Sequence, residues 1–246
     1  MFVVSHSIKN EDEMSIQKLR TGLCIYCGQK GILSRDHVPP KTLFADPRPS
    51  NLISVPSCTT CNAGASLDDE YFRLVHTLRI DIFTHPDAFR NWKSVKRSLY
   101  NPQKENFKQV FLNTLQKINI YTKEGIFISE TGIYEVDIQR IKRVVERTVK
   151  GLFYHEMKTR LSDNYEVTVF SSSEMTYFPS DVHNFLESEV FPLLISIKPK
   201  VIGRNVFSYR SFFADNDTNL SVWLLIFYKT EAFLCWTLPT LPTPDA

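Results

Sequence analysis

The spacing of apolar residues changes period several times along the chain. Between Ser66 and Leu99 the period is helical. Leu67, Phe72 with Val75, and Leu78 with Ile82 sit at helix-face spacing, and Pro86 breaks the run. Phe89, Trp92, Val95 and Leu99 predict a second helix, and Phe107 to Leu115 a third. Near Ile118 the period falls to two. The stretch NIYTKEGIFISETGIYEVDI alternates apolar and polar residues with glycines at the bends, which predicts two or three antiparallel strands. Residues 137–161 return to a helical period, with Ile138, Ile141, Val145, Val149, Leu152 and Phe153 on the buried face. A strand over 166–170, a helix from Ser180 or Asp181 to Val190, a strand-like run over 201–213 and a closing hairpin of 220–228 with 232–236 complete the pattern. Residues 1–20 are polar and predict at most a short leading helix, and the proline-rich LPTLPTPDA predicts an extended tail.

Ahead of Ser66 the apolar runs are short. Leu33 and Val38 flank a polar segment, and Pro39 and Pro40 end it because proline donates no ladder hydrogen bond. Leu52, Ile53 and Val55 form a second run, and Cys58 to Asn62 predicts a helix start. The expectation is strand, loop, strand, helix. The chain therefore reads as α+β in three segments: a small module over 1–66, a helical connector over 67–116, and an α+β domain with a mainly antiparallel sheet over 117–240.

Composition adds limits. An apolar fraction of 43% supports a real core, and a net charge of +2 gives no global field for a polyanion, leaving any such binding to local patches. No apolar run approaches the roughly 20 residues needed to span a bilayer, so no membrane partner is expected. MFVVSHSIKNEDEMS lacks a basic start followed by a long apolar run, which predicts a cytoplasmic, reducing setting that disfavours disulfides.

That setting decides how the cysteines are read. Cys24-x-x-Cys27 and Cys58-x-x-Cys61 each let a short turn offer two sulfurs, and two such turns close a tetrahedral zinc shell. The fifth cysteine, Cys235, lies in the apolar run AFLCW and reads as a buried core thiol. Between the pairs stand Asp36 and His37, then Asn51, with Asn62 directly after the last ligand.

The paired cysteines, DHVPPK over 36–41, Asn51-Leu52-Ile53 and Cys58-x-x-Cys61-Asn62 resemble the HNH endonucleases, the ββα-metal nucleases on a treble-clef zinc scaffold. The resemblance covers about residues 21–66. It implies a structural Zn²⁺, a catalytic Mg²⁺ or Mn²⁺ bound by Asp36 and Asn62, His37 as general base, and Asn51 holding the loop and orienting the histidine. The implied reaction is one-metal, in-line hydrolysis of DNA phosphodiester bonds. Arg35 and Lys41 suit phosphate contacts. A toxin or anti-phage setting would suit such a chain. Two alternatives stay open: a non-catalytic zinc module that binds nucleic acid or protein, and an RNA-directed nuclease.

The chain departs from the common family pattern in the loop TLFADPRPS and in AGASLDD after Asn62, where a lysine often follows. Regular strand geometry also sends Asp36 and His37 to opposite faces, so their joint action requires an irregular strand end. Asp68, Asp69 and Glu70 read as first-turn acids of a helix that Ser66 begins. Arg90, Lys93, Lys96 and Arg97 form a basic cluster that suits either a DNA backbone or solvent. The segment over 117–240 carries no catalytic signature, and His155 and His183 lack metal-ligand spacing. By exclusion its role is target selection, autoinhibition, or docking of a protein partner or activator.

Overall fold

A long helix is the axis of the molecule. In the computed structural model, which describes residues 20–79, 85–101, 109 and 111–241, four helices of the first half and centre are α1 (Thr59–Gly64), α2 (Ser66–Leu78), α3 (Pro86–Leu99) and α4 (Ile138–Met157). The expected leading helix lies outside the described residues. Of the helix expected over 107–115, residues 109, 111 and 112 are helical, 113 and 114 form a turn, and 107, 108 and 110 lie outside the described residues. Helix α4 runs 20 residues, about 30 Å at 1.5 Å per residue. Asp137 caps its start by accepting from the backbone N–H groups of Gln139 and Arg140, and Lys158 ends it in the left-handed region at φ 58°.

Helix α4 is covered on two sides. One side meets a three-stranded antiparallel sheet of β1 (Arg20–Leu23), β2 (Lys30–Val38) and β3 (Ile53–Cys58), in that order. The approach is close: a Cβ at Gly151 would lie 2.3 Å from Val38 Cγ1, so only glycine fits there. The other side meets a five-stranded antiparallel sheet. Its strands are β6 (Tyr165–Ser171), β7 (Lys200–Ile202), β8 (Phe207–Phe213), β9 (Ser221–Phe227) and β10 (Glu231–Pro239), ordered β6-β10-β9-β8-β7. A separate hairpin of β4 (Gln116–Tyr121) and β5 (Phe127–Ile133) stands apart and is largely exposed.

Alternation along β9 and β10 explains their unbroken apolar text. Trp223, Leu225, Phe227, Phe233 and Cys235 join the core beneath α4. Val222 and Leu234 point the other way, to Leu186, Val190 and Leu194. These last residues lie on a helical stretch formed by α6 (Ser180–Phe185), a π turn over Leu186–Val190 and α7 (Phe191–Ser196), preceded by the short α5 (Ser172–Met175). A central strand with both faces covered loses the polar half of its alternation.

The larger core ignores the segment boundaries expected at 66 and 116. Ile25, Val38 and Val55 of the first segment, Phe72 of the second and Val149, Phe207 and Phe233 of the third form one cluster. The described chain is α+β with antiparallel sheets, and the three segments share that core.

Candidate functional site

The cysteines come first because they shape the rest. The β1–β2 turn carries Cys24 and Cys27. Gly28 closes it at φ 69°, with its N–H donating to the Cys24 carbonyl at 2.9 Å. Cys58 ends β3 and caps α1, its sulfur accepting from the Cys61 N–H. The four sulfurs lie within 4.8 Å of one another, and Cys27 and Cys58 are 3.9 Å apart. A tetrahedron with Zn–S bonds of about 2.3 Å places its sulfurs about 3.8 Å apart, so the quartet fits zinc. Burial alone would raise the Cys24 thiol, but backbone N–H groups of Cys27, Cys58 and Tyr26 bring it down to about 6. Burial and the neighbouring thiols push Cys61 upward. Cys235 is fully buried in the core and is not part of this group. Four thiols of this placement can hold a structural zinc.

The hairpin that the cysteines clamp has two chemically different faces. The β2–β3 ladder is unbroken through Val38, pairing Asp36 with Val55, His37 with Ser54 and Val38 with Ile53. Asp36 and His37 therefore leave the strand on opposite faces. The irregular strand end that would unite them is absent.

Asp36 points inward, toward α4, and is 6% exposed. Its Oδ2 accepts from the Tyr26 hydroxyl at 2.5 Å and from Arg147 Nη2 and Nε at 2.7 and 3.1 Å. Arg147 Nη1 also donates to the Cys61 carbonyl at 2.8 Å, and its guanidinium lies 4.6 Å over the Tyr26 ring. All three bonds to Asp36 from the described residues fall on Oδ2, and Oδ1 receives none from them. Asn62 shares this face. Its Nδ2 donates to Ser34 Oγ at 2.9 Å and toward the Arg35 carbonyl at 3.4 Å, which leaves its amide oxygen without a hydrogen bond.

Asp69 belongs here as well, and its sequence context did not mark it. Burial, with Asp36 and Asp68 nearby, raises its carboxyl to about 7 against the attraction of Arg147, and its Oδ1 is buried without a partner. The other two acids of that run have separate tasks. Asp68 takes Arg140 and Arg143 at 2.7 Å each, and Glu70 pairs with Arg73 at 3.6 Å. Ser66 is the first helical residue of α2, where its hydroxyl donates to the Ala63 carbonyl. The N-cap is Ala65.

His37 lies on the outer face, half-buried, with exposed Arg35 two residues before it on the same side. Burial lowers its pKa, and Lys41, Arg48 and Arg35 lower it further against the pull of Asp36. Its surroundings are thus cationic and favour the neutral ring. Asn51 has a third location. Its Nδ2 donates to the Val201 carbonyl at 2.9 Å and its Oδ1 accepts from the Gly203 N–H at 3.2 Å. It holds the loop, but against the β7–β8 turn, and it forms no bond to His37.

No family model, curated protein or solved structure matches the chain. The functional reading therefore rests on the residues themselves. No described helix is long and apolar enough to cross a membrane.

Proposed function

We propose that the chain is an HNH-type endonuclease that hydrolyses DNA phosphodiester bonds. The observation that carries this reading is the clamped strand–strand–helix element. It presents a neutral-biased histidine, an inner carboxylate with one free oxygen and a free amide oxygen within residues 36–62. In this reading His37 accepts a proton from water, the water oxygen attacks phosphorus, and the P–O3′ bond breaks. The leaving O3′ takes a proton from a second water molecule, and the products are a 5′-phosphate and a 3′-hydroxyl. Asp36 and Asn62 would hold a Mg²⁺ or Mn²⁺ ion that supplies charge stabilisation at the phosphate. Because they lie on the face opposite His37, joint action on one phosphate requires the end of β2 to twist on binding. Arg147 and Tyr26 fix Asp36 through its other oxygen. Arg35 and Lys41, both exposed beside His37, would contact phosphates.

Two observations favour a second reading, a zinc-containing nucleic-acid-binding module without catalysis. The Arg147 cation already sits against Asp36, and His37 is on the other face. Supercoiled plasmid and RNA, each with and without added Mg²⁺ or Mn²⁺, separate the two. The nuclease reading expects metal-dependent cutting of the plasmid. It also expects a loss of about 10²–10⁴-fold in His37→Ala at unchanged zinc content, the usual worth of a general base. Because the His37 pKa is lowered, activity should hold at neutral pH and fall only as pH drops below the ordinary histidine range near 6.5. Binding without cutting under every metal condition would establish the second reading. Cutting confined to RNA would replace the substrate.

A further inference from the structure

Beyond His37 the outer surface opens into a cleft of about 440 Å³ between α3 and the loop that follows β2. Its described lining includes Arg48, Arg73, Arg90, Lys93 and Arg97, against one acid, Asp46. The frame is rigidly tied. Asn91 Nδ2 donates to the Thr42 and Leu43 carbonyls, each at 2.9 Å, and the Tyr228 hydroxyl donates to the Leu43 carbonyl at 2.7 Å.

Two buried donors in this frame have no partner among the described residues. Arg73 is 9% exposed, and although its Nη1 donates to Ser94 Oγ at 3.2 Å, its Nε is unpaired. The Thr42 hydroxyl is also buried and unpaired. Both residues line the cleft. A buried donor without a partner is destabilising, so two in one cationic cleft point to an absent acceptor. Charge agrees. Glu70 pairs with Arg73 at 3.6 Å, Asp87 with Arg90 at 3.3 Å and Asp46 with Arg48 at 3.7 Å, while Lys93 and Arg97 have no carboxylate partner among the described residues. Burial lowers the Arg73 pKa, and nearby Arg97 lowers it further, a strain that an anion between them would relieve.

We propose that this cleft binds a phosphate of a DNA strand and sets that strand against His37. A strand is chosen over a small phosphate compound because the cations continue past the cleft. Arg48 lines it and also acts on His37, and Lys41 and Arg35 extend the line along the open face. The choice of DNA rests on the nuclease reading. The phosphate site rests on the cleft alone.

The test is fluorescence anisotropy of a dye-labelled DNA duplex with the full chain, without added divalent metal, across a salt series. Replacing Lys93 and Arg97 together by alanine should weaken binding about 10-fold and reduce the slope of log K against log salt by about 1.8, two contacts at about 0.9 each. Zinc content and melting temperature should not change, since both side chains are exposed. Lys96→Ala is the control, because Lys96 stands over the Trp92 ring at 5.3 Å and does not line the cleft. It should bind like the parent. Pyrophosphate should compete with the duplex. Equal affinity of parent and double variant, an equal loss in Lys96→Ala, or pyrophosphate binding without any DNA binding would each overturn the proposal. A chain that binds DNA through the cleft but never cuts leaves it standing and sinks only the nuclease reading.

Discussion

Helices α3 and α4 carry similar basic text and put it to opposite use. On α4, Arg140 and Arg143 both grip Asp68, and Arg147 grips Asp36 and the Cys61 carbonyl. These guanidiniums fasten the helix to α2 and to the clamped hairpin. On α3, Lys93 and Arg97 face a cleft without carboxylate partners among the described residues. The difference lies in neither the charge nor the spacing of the basic residues. It lies in whether the fold brings an acid to them. A cation with a buried partner is architecture, and a cation left facing a cavity with unpaired donors is what the proposed phosphate site is built from.

The contrast between the two helices collapses most completely when the four-cysteine shell is opened. Arg147 holds two groups of the stapled element, so both anchors depend on the staple. Cys58→Ser should lose the zinc, measured as about one ion per chain in the parent. Amide exchange should then rise across β2, β3 and α1 while β8 to β10 stay protected. A parent without zinc and with this element still protected would remove the staple from the account.

Arg147 itself comes next. Its side chain is 15% exposed and its partner's is 8%, so the pair is shielded from solvent. Removing one member of a buried pair strands the other charge, typically at a cost of about 3–5 kcal/mol. Arg147→Ala should show a loss of that order in urea unfolding, with zinc retained. A loss under about 1 kcal/mol would place Asp36 in a solvated environment and reopen its role. Asp69 adds a pH signature. Its raised carboxyl is protonated in the fold at pH values where the unfolded chain has already ionised. That contribution is full below the ordinary aspartate range near 4 and disappears as pH rises to about 7. Asp69→Asn should flatten stability across that window.

These expectations show where sequence legibility ends. The period of residues 137–161 marks α4 within a few residues, because a helix covered by two sheets still repeats its apolar face. The zinc quartet is legible because each half is local. The opposite faces of Asp36 and His37 follow from strand alternation alone. Pro86 reads as a breaker, α2 does end before it, and it also starts α3, since its fixed φ and missing N–H suit the first turn. The partners are not legible. Asp36 and Arg147 are 111 residues apart, and Asn51 and Val201 are 150 apart. Neither contact leaves a local pattern. For the same reason the arginines of α4 and the cations of α3 look alike in the text.

The smallest effect belongs to Arg143, and it tests the comparison at its weakest point. Arg143 is basic and on α4, yet its side chain is 56% exposed. Asp68 keeps a second partner, because Arg140 Nε holds its Oδ1 at 2.7 Å, is only 18% exposed and lies 4.3 Å over the Tyr71 ring. Exposed pairs contribute about 0–1 kcal/mol, so Arg143→Ala should fall in that range. The sign of its pH dependence is fixed. Burial alone would raise Asp68, but hydrogen bonds from Arg143 and then Arg140 overcome it and hold the carboxyl below its ordinary value. Its contribution is therefore present at neutral pH and lost as pH falls through the depressed pKa. Arg143→Ala should move that loss to higher pH without abolishing it, and Arg140→Ala should cost more at every pH. Equal costs for the two variants would mean that exposure does not separate them, and that the contrast between α3 and α4 rests on something other than buried partners.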